Sequence, residues 1–554
     1  MRSLAILLFA AAPAFLSGCG RDEALPRRNV LVISIDSLRR DHVGAYGHRP
    51  RYGAVEQAYT PAIDGLAARG VLFEDAWTGS SWTLPSHMTL FTGMPDRLHG
   101  VDTDAVRLDP LRTTLAESFR ASGWRTGGVY SGPYLDPRYG FDRGFDAWQS
   151  AMSTPEAFAA EVRAVNAQRL ADGRPPLDSK TVRALRDRQS HIEVTSPRVN
   201  ALARDFLDAS EDRSQPFFLF LHYFDAHYDH LPETQDPALA EAFDPGYEGA
   251  FDPVDWFFNP QVMDKRPPFT RRVGERDLGH VMAMYEAEIH WVDRHVQAVL
   301  DMLQRRGLLE DTVVLLVSDH GDEFFDHAGI GHRSTLFPEL CRIPAVLRVP
   351  GGPEGLRVPE LVRMEDFAPT LLDLAGARAQ LDEARGSSLR ALVEGGGIGD
   401  DREAVFHLYS GTHSRGIGLN VRDGWRDRRW TVLRQFGPEP DAPDDGRLHL
   451  RPAVWDATGD PFLVFDRLAD PRELRPLPAT APGYRDAVDA FCAAVQRLDA
   501  AVAALPRSSP ELLRLDAPSE EEARAMAALG YAGAEEDAGT AAWPPLAPLP
   551  SPCD

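Results

Sequence analysis

A chain of 554 residues, 43% hydrophobic and 26% charged, has the composition of a globular protein and the length for one large domain plus a smaller one. Its formal net charge of -24 argues against a nucleic-acid partner, which would need a basic face. A local cationic pocket for an anionic substrate stays compatible with that charge, because net charge says nothing about one site.

The chain starts "MRSLAILLFAAAPAFLSGCG", with one Arg before an apolar run from Leu4 to Leu16. The run is too short for a transmembrane helix and has the form of a secretory signal. Leu16-Ser17-Gly18-Cys19 resembles a bacterial lipobox. That resemblance implies cleavage before Cys19 and lipidation of its thiol, with residues 1–18 as signal peptide and 19–28 as tether. The expected location is therefore the bacterial cell envelope, lipid-anchored to a membrane on its periplasmic or surface side. Cys341, Cys492 and Cys553 remain, far apart and odd in number, which does not suggest a disulfide framework.

Next comes "NVLVISID", an apolar run ending on a carboxylate, followed by "RTGGVYS", "PFFLFLHYFD", "DTVVLLVSD" and "IPAVLRVP". Between these runs lie amphipathic helical patterns such as "TTLAESFRASG" and "HVMAMYEAEIHWVDRHVQAVLDMLQRRG". Continuous apolar strands alternating with helices predict an α/β fold, a mainly parallel central sheet covered on both faces, over residues 29–376. Polar, Pro-rich stretches near 150–190 and 229–275 read as insertions over the site. Shorter strands, "RRWTVLRQF" and "PFLVFDRL", and a helix from Tyr484 to Leu505 predict a smaller α+β subdomain at 377–505. Residues 506–554 end in a Pro/Ala-rich tail expected to be disordered.

Several strands end in groups that bind metals or protons. The first ends at Asp36, another carries His222 and runs into Asp225-Ala226-His227, and a third ends in Ser318-Asp319-His320-Gly321-Asp322. In open α/β sheets the carboxyl ends of the strands form the ligand crevice, so these groups should converge. Each alone could be a cap, a core histidine or a turn. Together, Asp36, Asp319 and His320 make an oxygen and nitrogen set for one divalent cation, with Mn²⁺ or Zn²⁺ favoured and Ca²⁺ or Mg²⁺ possible. The Thr83 hydroxyl, in "SSWTLPSHMTLFTGMPDRLHGV", would complete the set and be acidified by the metal. Thr83 could equally cap the helix that Pro85 helps to start. His227 and His332 are candidate donors to ester oxygens and to a leaving group.

The stretches "NVLVISIDSLRRDHVGAYG", "TLPSHMTLFTGMPDRLHGV", "FLFLHYFDAHYDH", "YEAEIHWVD", "VSDHGDEFFDHAGIGHRSTLFPELCRIPAVLRVPG" and "FLVFDRLADPRELRPL" together resemble the sulfatase family of the alkaline phosphatase superfamily. The resemblance implies an alkaline phosphatase-like fold and an ester hydrolase. It puts Asp36, Asp319 and His320 on metal positions, Thr83 on the nucleophile, and His227 and His332 on substrate-binding positions. His87 falls where the family signature ends in arginine, and so on a substrate-binding position as well. The family nucleophile is a Cys or Ser oxidised to formylglycine; Thr83 stands there instead, so no formylglycine is expected. Ser37 occupies the place of a frequent second aspartate. The expected substrate is an anionic sulfate or phosphate ester, such as a glycan or lipid headgroup. Threonine also suits phosphodiesterases and phosphoryl-alcohol transferases of the superfamily, and an inactive glycan-binding pseudoenzyme is the third reading. A second ion could use Asp225, His227 and His332.

Overall fold

The computed structural model describes residues 26–53, 59–153, 155–171, 175–176, 194–209, 212, 214–227, 230, 232, 235–249, 251, 263–264, 270–327, 329–399, 401–410, 420–438, 450–453 and 460–515. Cys19 and the lipobox, Cys553 and the tail, and parts of the two expected insertions lie outside these residues.

Eight strands make the large sheet: β1 (Asn29–Ile35), β2 (Val71–Trp77), β3 (Arg125–Tyr130), β4 (Ala147–Ser150), β5 (Phe217–Tyr223), β6 (Thr312–Ser318), β7 (Arg342–Arg348) and β8 (Leu356–Arg363). Their order is β8-β2-β7-β6-β1-β5-β3-β4. Only β7 runs against its neighbours β2 and β6; the other pairings are parallel. The central strands are apolar along their length because helices cover both faces: every residue of β5 and of β6 is buried.

The covering helices are α1 (Pro61–Ala68), α2 (Thr83–Thr92), α3 (Leu115–Ala121), α4 (Ser196–Asp208), α5 (Glu275–Arg305) and α6 (Met364–Ala375). Polar contacts add to the apolar face at the starts of two of them. Thr114 and Glu117 form a capping box at the start of α3. Asp293 of α5 accepts the Ala62 and Ile63 N–H groups at 2.9 Å each, satisfying the free amides of α1 from a neighbouring helix.

Register aligns the strand ends. Ile35 of β1 pairs with Tyr223 of β5 on one side and Ser318 of β6 on the other. The next residues, Asp36 and Asp319, therefore leave the sheet side by side at its carboxyl edge.

A second sheet holds β9 (Ala404–Ser410), β10 (Asn420–Arg426), β11 (Trp430–Pro438), β12 (Leu450–Ala453) and β13 (Phe462–Asp466), all antiparallel, with β11 pairing β10, β12 and β13. Helix α7 (Tyr484–Ala504) packs on it through Phe491, Val488 and Val495. Edge strand β9 also meets the large domain. His407 N donates to Gly79 O at 2.9 Å, and Ser80 Oγ donates to His407 O at 2.8 Å. Among the described residues, no helix is long and apolar enough to cross a membrane.

Candidate active site

Asp36, Thr83, His222, Asp319 and His320 meet at the carboxyl edge of the large sheet, and all are buried. Asp36 follows β1, where Ser37 takes a left-handed φ of 56°, a costly conformation for a residue with a Cβ. That turn lets Ser37 Oγ donate to Asp36 Oδ1 at 2.9 Å and Ser37 N donate to Asp319 Oδ1 at 3.2 Å. Ser37 thus orients both carboxylates. Gly321 follows His320 because any Cβ there would meet Glu339 O at 2.0 Å.

Thr83 opens α2. The N-cap is Trp82, and no side-chain cap bond is present. Instead Thr83 Oγ1 lies 3.3 Å from Asp36 Oδ2 and 3.4 Å from His320 Nε2. The hydroxyl faces the acidic cluster, not the helix amides.

Two histidines point into the same spot. His320 Nδ1 donates to Gly321 O at 2.8 Å, and His222 Nδ1 donates to Ser131 O at 2.9 Å. Each ring is thereby held with Nε2 as its remaining nitrogen. His222 Nε2 lies 3.3 Å from Asp36 Oδ2, and His320 Nε2 lies 3.4 Å from Asp319 Oδ2. Burial pushes Asp319 well above the usual carboxylate range, reinforced by Asp36 beside it. Burial would also raise Asp36, but His227, His222 and His320 outweigh it and hold Asp36 low. Burial lowers His320.

These donors fit a divalent cation. His222 Nε2 and Asp319 Oδ2 are buried without a hydrogen-bond partner, so two atoms that should be satisfied face the cluster. The ligand atoms of Asp36, Asp319 and His320 lie within 4.8 Å of one another. The nitrogen-containing set suits a borderline ion such as Mn²⁺ or Zn²⁺. His222, on strand β5, enters beside Asp36, Asp319, His320 and the Thr83 hydroxyl expected from the sequence.

His227 and His332 stand at the rim of this cluster. Their rings are 5.1 Å apart, and His332 lies 4.4 Å from His320. Asp322 Oδ1 accepts from His332 Nδ1 at 3.0 Å, a positioning contact that spacing alone did not reveal. His227 stacks on Phe224. Neighbouring Arg333 lies 4.0 Å over the Trp82 ring and donates to Tyr134 Oη at 2.8 Å.

Two expectations require correction. His87 does not reach a substrate: it is fully buried beneath Thr83, with Nδ1 donating to Thr83 O and Nε2 meeting Ser34 Oγ, both at 2.9 Å. Burial, reinforced by neighbouring His222, drives its pKa down to about 3. Asp225 does not serve a second ion. Its Oδ1 accepts from Thr195 N and Oγ1, and its Oδ2 from Ser196 N and Trp291 Nε1, which uses its acceptor sites.

The Sulfatase family model matches residues 28–377, which span the large sheet and every residue of this cluster. The chain belongs to the sulfatase family. This makes it an ester hydrolase by descent. It is 26% identical to arylsulfatase A of Bos taurus over 470 residues, covering 80% of this chain and 82% of that protein. It is 24% identical to the delta 4,5-hexuronate-2-O-sulfatase of Bacteroides thetaiotaomicron, covering 69% of this chain and 75% of that enzyme. Its fold matches the crystal structure of the phosphonate monoester hydrolase of Agrobacterium radiobacter with a TM-score of 0.58 and 21% identity, covering 89% of this chain and all of that one.

Proposed function

We propose that this protein is a metal-dependent hydrolase of sulfate esters in which Thr83 is the nucleophile. The observation that carries the reading is the convergence of two carboxylates and two histidine Nε2 atoms directly beneath Thr83 Oγ1. A divalent cation held by Asp36, Asp319, His320 and His222 would neutralise the carboxylates and acidify the Thr83 hydroxyl. The Thr83 oxygen then attacks the ester sulfur, the bond to the alcohol oxygen breaks, and the sulfuryl group passes to threonine. His332, held by Asp322, and His227 stand where a proton can reach the departing alcohol oxygen. Water then attacks the sulfur of the sulfo-threonine, sulfate leaves, and a proton given up by that water returns to the Thr83 oxygen to restore the hydroxyl. Threonine cannot supply the aldehyde hydrate of a formylglycine, so release must occur by this second displacement.

The relatives named for aryl and hexuronate sulfates support a sulfated aryl or glycan substrate. Thr83 also favours a second reading, phosphate-ester hydrolysis or transfer, since a hydroxyl nucleophile serves phosphorus and sulfur alike. The Leu16-Ser17-Gly18-Cys19 motif supports action in the cell envelope. The test is metal analysis of the purified protein, paired with assays on an aryl sulfate and an aryl phosphate. Turnover should vanish on chelation and return with Mn²⁺ or Zn²⁺. Full turnover in protein stripped of metal refutes the reading, and a strong preference for the phosphate installs the second one.

A further inference from the structure

Behind the active site, the loop that leaves Asp36 folds back over helix α5. Two single turns, Arg40–His42 and Gly44–Tyr46, bring His42 and His48 together with ring centroids 4.5 Å apart. Both face Glu286 on α5: His48 Nε2 is 2.8 Å from Glu286 Oε1, and His42 Nδ1 is 3.5 Å from the same oxygen. His42 and Glu286 are each 3% exposed, while His48 forms the partly open rim.

The hydrogen bonding here does not close. His42 Nδ1 and Glu286 Oε2 are buried with no hydrogen-bond partner, as is the hydroxyl of Tyr59, whose ring lies 5.5 Å from that of His48. Ion pairing of both rings with Glu286 Oε1 explains the short His48 contact and the long His42 one, and leaves Glu286 Oε2 and Tyr59 Oη unsatisfied. Unpaired buried polar groups cost about 1–3 kcal/mol each, so their clustering calls for a common partner.

We propose that His42, His48 and Glu286 form a second metal site, which takes a borderline divalent cation of the Zn²⁺ class. The three ligand atoms lie within 4.8 Å of one another. Two imidazoles and one carboxylate make a common zinc ligand set, and a water on the His48 side would fill the fourth position. Zinc bonds of this type set tetrahedral ligand edges of about 3.3 Å. The contact between His42 and Glu286 already matches that edge; His48 must withdraw by about half an ångström.

The ion would fasten the loop that carries Asp36. His42 and His48 belong to the segment that begins at Asp36, and Tyr285, next to Glu286, donates to Ser37 O at 2.7 Å and accepts from Arg39 N at 2.9 Å. One cation would therefore lock the Asp36–Ser37 turn to α5 without touching substrate.

The test uses the full chain with the active-site carboxylates replaced, Asp36→Asn with Asp319→Asn, dialysed against chelator and titrated with Zn²⁺. One Zn²⁺ should bind per chain and raise the melting temperature, and Co²⁺ should give the visible bands of a tetrahedral site. Adding His48→Gln, a rim change that circular dichroism can show to be folded, should weaken Zn²⁺ binding at least tenfold; adding Glu286→Gln should abolish it. The proposal is overturned if the carboxylate variant binds no Zn²⁺, or if His48→Gln and Glu286→Gln leave its affinity unchanged. Failure of the catalytic-metal reading looks different: the wild-type protein would bind a single ion, lost with Glu286→Gln and kept with Asp319→Asn.

Discussion

Replacing Thr83 by Ala separates a nucleophile from a structural threonine, and the structure sets the size of both effects. Because Trp82 is the N-cap and Thr83 makes no capping bond, the usual loss of about 1 kcal/mol for a deleted cap does not apply. The hydroxyl's contacts, at 3.3 and 3.4 Å, are long and contribute well under about 1 kcal/mol. Losing the buried methyl costs about 1 kcal/mol, and the better helix preference of Ala offsets about half of it. The net change should be about 1 kcal/mol or less, a melting shift of about 2 °C in a chain this large. Turnover should nevertheless fall by about 10⁴-fold or more, as when one member of a catalytic constellation is removed. Steady-state kinetics on an aryl ester, alongside a thermal melt and metal content, would measure both. Thr83→Ser, which keeps the hydroxyl, should retain partial activity. A Thr83→Ala protein within tenfold of the wild-type rate, with its metal intact, would refute Thr83 as the attacking group.

Asp225→Asn should destabilise the protein by about 2–4 kcal/mol, because the new NH₂ faces groups that already donate, while metal content stays unchanged; metal loss with an unaltered melting temperature would restore Asp225 as a ligand. His407 is buried, which alone would lower its pKa, but Asp102 and Asp423 overcome that and raise it to about 9. A raised folded pKa stabilises fully below the unfolded value near 6.5, so up to about 3 kcal/mol should be lost as pH climbs from there through 9. Denaturant titrations across that range should show the loss in wild type and not in His407→Gln; equal slopes would contradict it. Cys19→Ala should release the protein from the membrane fraction, and an unchanged fractionation would remove the proposed anchor.

The central strands were legible because burial on both faces leaves them apolar: β1, β3, β5, β6 and β7 all coincide with runs visible in the sequence. Direction was not, and nothing in "IPAVLRVP" distinguishes the antiparallel β7 from its neighbours. Strand β2 hid behind Glu74 and Asp75; Asp75 is tolerated because Arg342 and Arg467 pair with it from distant segments. Strand β8 carries an exposed Arg357 and Pro359, as an outer strand can. Within the site, Asp36, Thr83, Asp319 and His320 could be placed from strand ends and motif order. Asp225 looked equally metal-like. What occupies it, the amides of Thr195 and Ser196, arrives from thirty residues upstream. His222 raised the reverse difficulty: its chemistry depends on a ring held by Ser131 O, a contact between strands that no spacing encodes.

The bonds between β9 and the Gly79–Ser80 loop bear on how this protein can be cut or recombined. The family match ends at residue 377, and an expression fragment stopping there would look like a complete catalytic module. It would leave Gly79 O and Ser80 Oγ without their partners, four and three residues before Thr83. It would also expose Trp77, which Phe406 covers edge-on, and strip Phe406 and Leu408 from the main apolar core. The smaller sheet therefore braces the segment leading to Thr83, and the two sheets are expected to unfold together. Exchange of this region between homologues is expected to alter turnover as well as solubility, and a chimera should keep β9 together with the 79–83 segment it supports.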